Sequence, residues 1–232
     1  MKRIVMIILI FSFIGIIYAD DSITQRIFSI YSEEEALPLI KELGNSNDKD
    51  KDLYMGILYH NLATNPTNTV KYYKKAINLL ENYYNKNNNN NLAKGYYGSS
   101  ITLEASIASD KGDFMKALAD LSKGNKIIDE AVKSESDNIP LRIMRANNAI
   151  STSDGSPINR YNIAKKDLEY IFTKSDKLDN ETISMCYYLY GIIYYKEKKL
   201  VKAIECFNNS VKAAPDSEYA AKSKKYLMEL SE

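Results

Sequence analysis

The run Ser184-Met185-Cys186-Tyr187-Tyr188-Leu189-Tyr190-Gly191-Ile192-Ile193-Tyr194-Tyr195 is apolar or aromatic on nearly every side. Read at helical spacing it carries two stripes. One is Tyr187, Tyr190 and Tyr194 with Gly191. The other is Met185, Tyr188, Ile192 and Tyr195, recurring at i, i+3, i+7 and i+10. A helix with apolar residues all round must be covered on more than one face. After the turn Lys196-Glu197-Lys198-Lys199, a second periodic run from Leu200 to Ala213 carries Ala203 and Phe207, and Pro215 follows it. Gly191 lets the second helix come close, Ala203 is the small residue that meets it, and Phe207 fills the gap that remains. Pro215 cannot continue the helix it follows. Two antiparallel helices, a hairpin, are the reading.

Tyr187, Gly191, Tyr194, Ala203, Phe207 and Pro215 share the spacing of one tetratricopeptide (TPR) repeat, which this stretch resembles over about 34 residues. Ser210 departs from the pattern, where a second Ala is usual. The resemblance implies an all-α fold, a right-handed superhelical α-solenoid of antiparallel hairpins. It also implies binding of a protein or peptide on the concave surface, which the stripe Met185, Tyr188, Ile192 and Tyr195 would line. The rival expectation is that the preceding hairpin or the terminal helix covers that stripe. Some members of the family hold a C-terminal carboxylate with a Lys/Asn clamp on the first helix of each repeat. The matching positions here are Leu53 and Ile57, and Tyr188 and Ile192, so that clamp is absent.

Weaker copies of the pattern occupy two earlier hairpins at irregular spacing, and a generic α-solenoid with other repeat types mixed in is the alternative. Ile23, Ile27 and Ile30 predict a short helix. Ser32 then reads as an N-cap ahead of Glu33-Glu34-Glu35, opening a helix that runs towards Leu43 and stops at Gly44, with Pro38 inside it. Gly56 and Tyr59 repeat the spacing of Gly191 and Tyr194. With one extra residue in the turn at Asn65-Pro66, Tyr73 and Ala76 fall on the family's Phe and Ala positions. Residues 85–91, six Asn and one Lys, read as a solvated loop. A third hairpin pairs residues 92–111 with the helix after Gly112-Asp113. Its Ala117 and Leu121 match the family's Ala and Phe positions, and Ala105 replaces the Gly. A fourth pairs Asn138–Ile150 with Pro157–Phe172, with Ser156 as cap and Pro157 as the first helical residue. Asp216 caps a final helix through Tyr219, Tyr226 and Leu230. No segment alternates apolar and polar residues in the manner of a strand.

The chain has 232 residues, 45% hydrophobic and 26% charged, enough for one repeat domain over 20–232. Lys+Arg 31 against Asp+Glu 30 gives no electrostatic case for nucleic acid. Residues 1–19 read as a signal peptide. Lys2 and Arg3 precede an apolar run from Ile4 to Ile17, and Ala19 offers the cleavage site. An export route to the periplasm or cell envelope follows. The run is short of the roughly 20 residues a spanning helix needs, though an uncleaved anchor is the alternative.

Candidate chemistry is sparse. His60 is the one histidine and is expected as a partly exposed residue late in helix 49–63. No nucleophile motif stands near it, and His/Cys metal sites are excluded by count. Asp48, Asp50 and Asp52 alternate like a calcium loop, but Leu53 and Tyr59 stand where its Gly and Glu belong. No phosphate-binding Gly motif occurs. The expectation is therefore a non-enzymatic adaptor with a protein or peptide partner, no cofactor and no small-molecule substrate. The alternative is a permanent subunit of an envelope assembly. Cys186 and Cys206 read as buried free thiols, with a bridge across the hairpin as the alternative. Nineteen Tyr against no Trp, several as doublets, leaves two readings open. The second Tyr of each pair either covers a neighbouring surface or joins a binding face.

Overall fold

The alternation of apolar-periodic runs with polar turns resolves, in the computed structural model, into ten α-helices and no strand among the described residues, which are 27, 30–65, 67–87 and 90–231. They are α1 (Glu33–Asn45), α2 (Lys51–Thr64), α3 (Thr69–Lys86), α4 (Asn91–Asp110), α5 (Phe114–Ser134), α6 (Ile139–Gly155), α7 (Tyr161–Phe172), α8 (Asn180–Lys196), α9 (Leu200–Ala213) and α10 (Glu218–Glu229). The fold is all-α and TPR-like, helices within each unit packing on their neighbours in sequence. The signal-peptide reading and Ile23 lie outside the described residues. The chain divides into two compact units, one ending at Arg160 and the other beginning at Tyr161.

In the first unit, Ser32 caps α1 by accepting from Glu35 N–H at 3.3 Å. The helix passes both Pro38 and Gly44, and ends where Ser46 turns its N–H and hydroxyl onto Leu43 O. The asparagine tract is shorter as a loop than expected. Helix α3 continues to Lys86, and Asn90 caps α4 through Ala93 N–H at 2.8 Å. Asp113 caps α5 after Gly112, whose φ of 80° is a left-handed turn residue.

One boundary differs from its sequence reading. Ser156 is the C-cap of α6, not the N-cap of the next helix, which starts at Tyr161. The cause is local. The Ser156 hydroxyl donates back to Thr152 O at 2.7 Å and accepts from Ile158 N–H, so it closes the helix behind it. The cap of α10 also moves by one residue. Ser217, not Asp216, accepts from Ala220 N–H at 3.1 Å.

The tyrosines explain much of the packing. Tyr72 and Tyr73 are both buried, as are Tyr96 and Tyr97, so these doublets do not divide between core and surface. Their hydroxyls tie helices together instead. Tyr72 donates to Glu33 at 2.8 Å, Tyr83 to Asp50 at 2.6 Å, and Tyr97 to Glu81 at 2.5 Å. Each is a charge-assisted bond from one helix to another element. Burial, and then the accepting carboxylate, push the Tyr83 and Tyr97 hydroxyls well above the ordinary tyrosine range.

Candidate protein-interaction surface

The strong hairpin of the second unit is built as its residues dictate. A Cβ on Gly191 would lie 2.4 Å from the Phe207 ring, so the ring rests on the bare backbone. Ala203 and Phe207 are fully buried, and Pro215 lies in the turn between α9 and α10. Tyr187 and Tyr190 reach the preceding helix. They meet Phe172 of α7, with ring centroids 4.7 and 5.8 Å away, and the Tyr190 hydroxyl donates to Lys165 O. Tyr194 stacks on Tyr190 at 5.8 Å, between the amines of Lys165 and Lys202.

Ser210 has its own reason. The Ser184 hydroxyl lies 2.8 Å from Ser210 O, 3.0 Å from Ser210 Oγ and 3.1 Å from Ser217 Oγ. Three buried serines thus join α8, α9 and the cap of α10. An Ala at 210 would remove the middle hydroxyl. Burial pushes the Cys186 thiol up to about 12 and the Cys206 thiol up to about 11; both are free.

The stripe expected to line a groove is covered. Met185, Tyr188 and Ile192 are buried, Tyr188 being 3% exposed, and only Tyr195 stays half-buried. Tyr188 meets Tyr219 at 5.7 Å and Tyr226 at 6.3 Å, Tyr195 meets Tyr226 at 5.2 Å, and Tyr226 stacks on Phe207 at 4.9 Å. The correction has a plain cause. Tyr219 and Tyr226 stand seven residues apart on one face of α10, the spacing that lays a helix along an apolar stripe.

The same hairpin geometry, followed into the first unit, leads to a site the sequence reading missed. In α2–α3 a Cβ on Gly56 would lie 2.7 Å from Leu80, with Ala76 one turn earlier, so Ala76 and Leu80 are the counterparts of Ala203 and Phe207. Tyr73 is not. In α4–α5 the helices come closest at Gly98 and Gly124, where a Cβ on Gly124 would lie 2.6 Å from Gly98 O. Ala105, Ala117 and Leu121 hold the positions that Gly191, Ala203 and Phe207 hold in the strong hairpin. No ring fills that end. A cavity of about 220 Å³ opens there, lined mainly by Ala105, Ala117, Leu118, Leu121 and Phe114, with Pro157 on its far side. Phe114 is 58% exposed beside it, and Asp110 stands at its rim.

His60 is not partly exposed but 2% exposed. Its Nε2 lies 2.9 Å from Ser99 Oγ, its Nδ1 3.3 Å from Asn61 Oδ1, and its ring edge-on to Tyr96 at 5.0 Å. Asn61 in turn donates to Ile27 O and Ile30 O. The order hydroxyl, imidazole, amide has the connectivity of a nucleophile, its base and an orienting group. Both Ser99 and His60 are buried, and here they serve as packing and as hydrogen-bond partners. Burial pushes the His60 ring down to about 4, which keeps it neutral. Among the described residues no group of His, Cys, Asp and Glu could hold a metal ion. Among the same residues no helix is long and apolar enough to cross a membrane.

Compared with known families, residues 44–220 match the model of Anaphase promoting complex subunit 8 / Cdc23, a TPR-repeat family. The chain belongs to this family. The match spans most of the hairpins described above, Gly56–Leu80 and Gly191–Phe207 among them. No curated protein and no solved structure matches it.

Proposed function

We propose that this TPR-family chain is an exported, non-enzymatic scaffold of the cell envelope that binds a protein or peptide partner. The basic start, the apolar run and Ala19 support export. One observation carries the binding reading: the apolar cavity at the open end of α4–α5, with Phe114 exposed beside it. Concave apolar surface next to an exposed aromatic is the kind of place where partners bury anchor residues. The stripe Met185, Tyr188, Ile192 and Tyr195 serves a partner only if α10 is displaced from it. A second reading, a permanent subunit of an envelope assembly, draws on the family's description as a complex subunit.

The test is a photo-crosslinking residue placed at Phe114 or, as control, at exposed Lys123, in the cell that makes the protein. A discrete adduct from position 114 and none from 123 is expected. No adduct from 114, or the same adducts from both, overturns the reading. Light scattering on the purified mature chain separates its two forms, a stable monomer for the adaptor and aggregation without a partner for the permanent subunit.

A further inference from the structure

The cavity on α4–α5 marks a gap in an otherwise repeated pattern. In α8–α9 the Phe207 ring rests on Gly191, and in α2–α3 Leu80 rests on Gly56. In α4–α5 the corresponding residues are Leu121 and Ala105. Ala105 carries a methyl where Gly191 and Gly56 have none, and Leu121 lacks the ring that Phe207 supplies. About 220 Å³ remains. That is more than the roughly 150 Å³ of an engineered apolar cavity that takes benzene. The space is therefore enough to admit an aromatic side chain.

The rim gives the second half. Asp110 is the last residue of α4 and is exposed. Its carboxylate is the one charge among the residues that line the cavity, and it favours a cation beside it. Lys111, next in sequence, is exposed and does not line the cavity. Lys116 is engaged with Glu104 at 3.1 Å and with Asp120.

We infer that the α4–α5 cavity receives an aromatic side chain of a partner protein, with a Lys or Arg beside it in sequence seated on Asp110. This rests on the scaffold reading and names the chemistry of its partner. Phe114, exposed at the mouth, then packs on the incoming ring, and Pro157 closes the far side.

The probe is the capped dipeptide acetyl-Phe-Lys-amide, titrated into the full chain carrying ¹³C-labelled Leu methyls. Its charge-reversed partner is acetyl-Phe-Glu-amide. The Leu118 and Leu121 methyls should shift with acetyl-Phe-Lys-amide while those of Leu80 in the α2–α3 hairpin stay still. Asp110→Asn should weaken that peptide several-fold and leave acetyl-Phe-Glu-amide unchanged. Leu121→Phe supplies the ring from within, and should both block the shifts and raise the melting temperature. Shifts spread over all leucines, equal affinity for the two peptides, no shift at all, or binding that survives Leu121→Phe would each overturn the inference. A partner that still crosslinks at position 114 under any of those outcomes leaves the scaffold reading standing.

Discussion

At the scale of single residues, two equivalent turns differ in one atom that matters. Gly112 and Lys198 both take a left-handed conformation between the helices of a hairpin, with φ of 80° and 61°. Gly adopts it freely, whereas the Lys Cβ crowds its own backbone. Lys198→Gly should therefore raise stability by about 0.5–1 kcal/mol, read as a higher urea midpoint at unchanged slope. An unchanged or lower midpoint would show that Lys198 gains something at that position that outweighs the strain. Turn positions of this kind were legible in the sequence, and so was the cap Ser32. The serine bonds were not. Ser184 and Ser210 lie 26 residues apart, and only the departure of Ser210 from the repeat pattern hinted at a partner. The same holds for His60. Nothing in its neighbours' sequence announces that Ser99, 39 residues away, will cover it.

At the scale of helices, α8 decides between packing and binding. Tyr188 lies between Phe207, Tyr219 and Tyr226, while Tyr195 touches the edge of Tyr226 and keeps part of its surface. Tyr188→Ala should cost roughly 3–5 kcal/mol, as large aromatic truncations in cores do. Tyr195→Ala should cost distinctly less. Denaturant melts of the two variants check this, and a small loss for Tyr188→Ala would put the stripe back on an open surface. Most hairpins could be read from periodicity and turn residues, because the return helix of each carries a clear apolar stripe. The junction after α6 could not. Ser156-Pro157 has the composition of a helix start, and which way the Ser hydroxyl turns is set by Thr152 O, not by the dipeptide. The cavity escaped for another reason. Ala105 and Leu121 look like tolerable substitutes one at a time, and only their combination leaves a void.

At the scale of the whole molecule, the buried imidazole links the first unit to pH. His60 holds fewer protons folded than unfolded between its ordinary value of 6.5 and its buried value of about 4. Stability is then full above pH 6.5 and is lost as pH falls through that window. The loss approaches about 3 kcal/mol for this group and grows no further below pH 4. His60→Gln keeps a hydrogen-bonding side chain without the titration. Chemical melts at pH 7, 5.5 and 4.5 should show a smaller decline for the variant than for the parent, and parallel declines would remove His60 as the cause. The placement of α10 has a consequence for any ligand of the second unit. That helix is joined to α9 by only a few residues and sits on Tyr188 and Tyr195. A short tether holds its occupant at an effective concentration of about millimolar. A free peptide at micromolar concentration therefore competes for that face at a disadvantage of roughly a thousandfold, set by chain connectivity before any contact is compared.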